Sequence, residues 1–169
     1  MAANKVGQAL ASMGQLTDID SVALVGAINI YRNIPGTVFA DDAGNEYMYL
    51  LGVASTVAGS WVVVDASTFQ TALATVSATN AGLVAVAMAA TLALQYGWYQ
   101  TRGFVAAAQI ATAAANGGKA LYVSGTSGVA TSTAGAAACI FGAFGIGASV
   151  SGVGAAFVSN PVFVGNATI

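Results

Sequence analysis

The sequence predicts an all-β fold, a small β-barrel or sandwich with an extended N-terminal arm. Three observations carry that prediction. Short β-prone runs are separated by Gly, Asn, Asp and Pro clusters at the spacing of small all-β domains. Charged residues make up 6% of the 169-residue chain and hydrophobic ones 57%, so much of the chain must be covered by its own fold or by other copies. The first 35 residues carry no periodicity long enough to sustain an element of their own.

The elements follow in order. Val6, Leu10 and Met13 sit at helical spacing over about two turns only. Residues 15–20 read as loop, and residues 22–31 are an apolar run that fits strand or helix equally. Asn33-Ile34-Pro35-Gly36 is a turn. Residues 1–35 therefore form an arm or edge-forming extension, expected to order on assembly, and residues 36–169 form the β domain. Within it, residues 37–40 and 46–51 flank an Asp/Gly/Asn cluster and make a hairpin. Residues 60–65 are a strand. Residues 66–78 are left open to helix. Residues 83–90 alternate larger residues with Ala, which favours strand over helix despite the helix propensity of Ala. Strands are then expected at residues 94–101 and 104–113. Residues 119–124 and 129–133 frame Gly125-Thr126-Ser127-Gly128 as the clearest hairpin in the chain. Residues 137–144, 154–159 and 162–164 complete the set.

Charge bounds the partners. The net charge is −2, the isoelectric point is near 4.5 and the mean hydropathy is +0.76. All six acids lie at or before Asp65, and beyond it the only charged residues are Arg102 and Lys119. No basic patch is present for nucleic acid or anionic lipid. A membrane is not expected either. The best apolar window, residues 82–94, falls short of the ~20 residues a spanning helix needs. Residues 1–15 hold one Lys and no apolar core of an export signal. Cys139 is alone, so no intrachain disulfide forms.

No constellation announces a chemistry, and the expectation is a non-enzyme with no cofactor and no metal. Gly117-Gly118-Lys119 resembles the end of a phosphate loop, but Ala113 and Ala120 stand where that loop needs Gly and Ser or Thr. Gly145-Ile146-Gly147 lacks the third Gly of a dinucleotide turn, since Val150 holds its place. A Ser nucleophile needs a base, and the chain has no His. Asp41, Asp42 and Glu46 lack the loop spacing of a calcium site and read as a solvated turn. Trp98, between Tyr96 and Tyr99, has too few cations beside it for a nucleic-acid platform. Trp61 reads as core, and the aromatics 96–99 read as an internal or intersubunit cluster. The candidate assembly contacts are Arg32, Trp98, Tyr99 and Arg102, because each guanidinium in so apolar a chain must find water or a carboxylate.

The second half resembles bacteriophage capsid decoration (cement) proteins. The resemblance rests on Tyr96-Gly97-Trp98-Tyr99-Gln100, on Gly103-Phe104-Val105, on the 117–128 turn and strand, on Ile140-Phe141-Gly142 and on Ala155-Ala156-Phe157-Val158. Pro35-Gly36-Thr37-Val38 and Glu46-Tyr47-Met48-Tyr49 fit the start of the same domain, and the whole likeness spans about residues 36–169. It implies a structural virion protein that binds and stabilises the outer surface of an icosahedral phage capsid. It implies the major capsid protein and other copies of the chain, as a homotrimer, for partners. The place implied is the capsid exterior, after assembly in the host cytoplasm. Two rival readings are a tail or fibre module that binds carbohydrate through Trp61 and Trp98, and a small membrane protein.

Overall fold

In the computed structural model the described residues are 16–17, 19–21, 33–76, 81–111, 118–134 and 139–164. They form eleven strands and no helix. The strands are β1 (Asp20–Ser21), β2 (Val38–Ala40), β3 (Glu46–Leu51), β4 (Trp61–Val64), β5 (Thr71–Leu73), β6 (Gly82–Ala87), β7 (Gln95–Gln109), β8 (Lys119–Val123), β9 (Ala130–Thr131), β10 (Cys139–Gly145) and β11 (Val153–Phe163). All strand pairings are antiparallel. The main path runs β2-β3-β7-β6-β11-β10-β8-β9, with β4 bridging β5 and β6 and β1 attached to β7. Among the described residues the path does not return to β2, so the sheet is not closed, although Ile110, just beyond β7, makes a single parallel bridge to Ala130 of β9.

β4 and β6 explain how the sheet packs. The run Trp61-Val62-Val63-Val64 is buried at every position. Alternation sends Trp61 and Val63 into one core with Val84, Val86, Leu121, Ile140 and Phe163. It sends Val62 and Val64 into a second core with Leu50, Ala85, Ala87 and Tyr99. A strand covered on both faces reads as a continuous apolar run, as this one does. In β6 Val84 and Val86 face the first core while Leu83, Ala85 and Ala87 face the second, so the Val/Ala alternation seen in the sequence separates the two cores. Trp61 is fully buried, and its indole N–H donates to the Gln109 carbonyl at 3.0 Å, so the ring gives its apolar area without orphaning a donor. Each such fully buried large side chain contributes about 1.5–3 kcal/mol.

Several expectations change. Residues 94–101 and 104–113 are not two strands: β7 runs unbroken through Gly103, which takes φ +101° at the join. Gln100 holds that bend from inside. Its amide donates to the carbonyls of Arg102 (3.0 Å) and Phe104 (3.1 Å), while the Asn45 Oδ1 accepts from the Phe104 N–H at 3.0 Å. Residues 154–159 and 162–164 likewise fuse into β11, with Pro161 inside it. The described part of 66–78 is not helical. The Asp65 carboxylate accepts from the Ser67 N–H (2.8 Å) and hydroxyl (2.7 Å), and this local turn competes with helix and leads into β5.

The predicted hairpins at 37–51 and 119–133 form, with Phe39 opposite Tyr47 and Tyr122 opposite Thr131. Of the arm expected at residues 1–35, residues 1–15, 18 and 22–32 lie outside the described residues. The described remainder lies on its own chain: β1 pairs with β7, and Leu16 packs on the aromatic cluster of Phe39, Tyr47, Tyr49 and Trp98.

Candidate functional site

The acidic turn is occupied by its own hairpin. Asp41 accepts from the N–H groups of Ala43 (3.0 Å) and Asn45 (2.9 Å), the Asn45 amide (2.8 Å) and the Tyr47 hydroxyl (3.1 Å). Burial pushes the Asp41 carboxyl up, yet these hydrogen bonds together outweigh it and hold the group below its usual range. The Tyr47 phenol moves the other way, to about 12, through burial first and the Asp41 charge second. Glu46 pairs with Arg102 at 3.2 Å. Among the described residues no three His, Cys, Asp or Glu side chains converge as a metal site.

An open cleft of about 620 Å³ lies beside β4–β6, lined by Val63, Asp65, Gln70, Thr71 and Leu83 among others. Its ionisable group is Asp65. The Ser67 hydroxyl and N–H, the leading causes, lower the Asp65 pKa, and both donate to its Oδ1. Cys139 is half-buried, and burial raises its thiol pKa, away from the reactive thiolate.

The feature that stands out is the outer face of β7, β11 and β10. Phe104 lies opposite Phe157, and Phe157 lies opposite Phe144. Directly opposed residues of antiparallel strands share a face, so the three rings form a row across three strands. Phe141 lies opposite Val162 and extends the row along the strands. The four phenylalanines are 52% (Phe104), 44% (Phe157), 46% (Phe144) and 57% (Phe141) exposed.

Irregular pairing makes this face. Phe141 and Phe144 are three residues apart, and Phe157 and Val162 are five apart, so strict alternation would put each pair on opposite faces. The β10–β11 register shifts between Phe141 and Ala143. Gly142 takes φ +81° there and Asn160 takes φ +46°. The bulge re-aims the strands so that Ile140, Ala143, Val158 and Phe163 remain buried while the four apolar partners all stay outside. A Cβ on Gly142 would lie 2.7 Å from the Ser159 carbonyl oxygen, so the close approach of the two backbones requires glycine. At one margin the row meets polar groups: Arg102, opposite Ser159, and its ion-pair partner Glu46.

The sequence-predicted contact residues separate. Arg102 is exposed beside Phe104 and forms that margin. Trp98 and Tyr99 are 2% and 0% exposed. Alternation sends Trp98 into the aromatic cluster with Phe39 and Tyr49, and Tyr99 into the second core, where its hydroxyl lies 3.1 Å from the Thr91 hydroxyl. Their rings support the sheet rather than its surface. Arg32 lies outside the described residues. Trp61 and Trp98 are both buried, so neither offers an open ring to a carbohydrate. The four exposed phenylalanines were not singled out from sequence. The available signal was the pair of Phe-Gly steps in Phe141-Gly142-Ala143-Phe144-Gly145, whose spacing of three breaks strand alternation. No helix among the described residues is long and apolar enough to cross a membrane, which leaves strand-built membrane proteins untouched. Comparison with known protein families, curated proteins and solved structures returns no match.

Proposed function

We propose that this chain is a structural virion protein that binds and stabilises the outer surface of an icosahedral phage capsid, with the major capsid protein and further copies of itself as partners. The observation that supports the reading is the uncovered phenylalanine face on a sheet braced by two cores. Soluble monomers rarely leave a contiguous apolar patch of this kind open, and such patches mark contact surfaces. The motifs of residues 96–128 and 140–158 supply the capsid as the surface contacted, through their resemblance to decoration proteins. A protein of this kind works by repetition. Each contact is modest, and the symmetry of a shell multiplies it into high effective affinity.

The test is direct. Purified protein is added to phage capsids and the particles are sedimented. The reading expects stoichiometric recovery with the particles and a higher temperature of capsid disruption. Protein that stays in the supernatant at every concentration, with the heat stability of the shells unchanged, would contradict it.

A further inference from the structure

We infer that the outer face of β7, β11 and β10 is a self-association surface, and that its occupant is the same face of a second copy of this chain. The inference assigns one of the two partners in the proposed function, and it can be tested without a capsid.

Size comes first. Taking about 200 Å² for a full aromatic side chain, the four rings leave about 400 Å² uncovered. That is roughly half of the ~800 Å² each partner buries in a stable interface. Val162 and the Ser159, Arg102 and Glu46 margin extend the same face. An aromatic centre with a polar edge is the composition of a protein interface.

Charge argues against an oppositely charged partner. Among the described residues the ionic groups placed on this face are Arg102 and Glu46, and they pair at 3.2 Å. A highly charged surface would find nothing to pair with, whereas an identical apolar face is matched without desolvating an unpaired ion. Two sheets packed face to face at about 10 Å interdigitate side chains of this size.

Symmetry then follows from the patch being one continuous row. A patch buries itself completely against an identical copy only in an isologous contact, which a twofold axis generates. With that axis running along the strands at the central Phe157, Phe104 of each copy lies over Phe144 of the other, because Phe157 sits between them in the row. The contact is therefore a dimer contact. This departs from the trimer that the decoration-protein resemblance implies.

The bulge supports a built surface. The Gly142 conformation and the register shift keep Phe141 and Phe144 outside together. Both strands are paired on each side, so the irregularity is not a device that protects a sheet edge.

Sedimentation equilibrium of the full chain, wild type beside Phe157→Lys and Phe104→Ser, tests the inference with no shell present. The expected result is a wild-type mass of twice the 16.6 kDa protomer. Phe157→Lys should be monomeric, and Phe104→Ser should raise the dissociation constant about thirtyfold or more, as loss of a buried aromatic anchor does. Circular dichroism should be the same for all three, and if Phe157→Lys loses its β spectrum, the milder Phe104→Ser decides. A monomeric wild type at micromolar concentration overturns the inference. So does a trimer, or a dimer whose mass and dissociation constant neither substitution changes. Loss of capsid binding by these variants with self-association intact also overturns it, and would assign the face to the shell. Failure of the wild type to bind capsids, with the dimer behaving as expected, would count against the proposed function alone.

Discussion

The β4–β6 wall and the β10–β11 face are built from similar residues and do opposite things. In β4 every side chain is buried, because a core lies on each side of the strand. In β10 and β11 one side faces the first core and the other faces outward with Phe141, Phe144, Phe157 and Val162. Hydrophobicity alone does not separate the two regions. What separates them is whether a second layer lies over the strand. In the wall, apolar area stabilises the fold of one chain. On the open face, the same kind of area contributes little to that chain's stability and is left available to a partner.

Substitutions at matched positions sharpen this contrast. The largest effect is expected at Trp61: Trp61→Ala should lower unfolding free energy by about 3–5 kcal/mol, from lost transfer energy plus a cavity and an orphaned Gln109 carbonyl. Urea titration of dilute protein checks it. Phe157→Ala, measured in the same way, should cost less than about 1 kcal/mol, since the ring is already half open. Equal losses at the two sites would erase the distinction.

Gly142→Ala comes next, at about 1–3 kcal/mol, because the new Cβ meets the Ser159 carbonyl and the residue must hold φ +81°. The same titration reads it. A tolerant Gly142 would mean that the bulge is not needed to hold the outer face.

Asp41 gives a pH test at smaller amplitude. Its folded pKa is depressed, so its contribution is present above the unfolded value of 3.8 and is lost as the pH falls through the folded pKa. The thermal midpoint of the wild type should therefore fall toward that of Asp41→Asn on acidification and stay above it near neutrality. The difference should be below about 1 kcal/mol, because the turn is largely solvated. The smallest effect is expected at the exposed Arg102–Glu46 pair, where Arg102→Ala should cost about 0.2–1 kcal/mol and less in high salt.

Much of the fold was legible because local chemistry and global placement agree. The Pro35-Gly36 turn forms, with the Thr37 N–H donating to the Ile34 carbonyl at 3.0 Å and Gly36 at φ +85°. Gly128 takes φ +76° in the later hairpin, and the alternation read over 83–90 is β6 as far as Ala87. The misread places are those where long-range contacts override a local breaker. Gly103 and the Asn160-Pro161 step look like strand ends. Gln100 and Asn45 instead hold the first within β7, and the bulge opposite Gly142 absorbs the second within β11. The candidate site was less legible for a related reason. An aromatic cluster such as Tyr96-Gly97-Trp98-Tyr99 carries no local sign of whether one face of its strand or both will be covered. Trp98 and Tyr99 went to opposite faces and both were buried. The exposed row depends on a register shift that alternation does not predict.

Oxidative footprinting of the wild type across a dilution series tests the central claim most directly. Phe104, Phe141, Phe144 and Phe157 should be protected in concentrated solution and become reactive together on dilution, while Trp61 stays protected throughout. Phenylalanine reactivities that are the same at every concentration, with Trp61 unchanged, would show that no copy covers this face and would contradict the account.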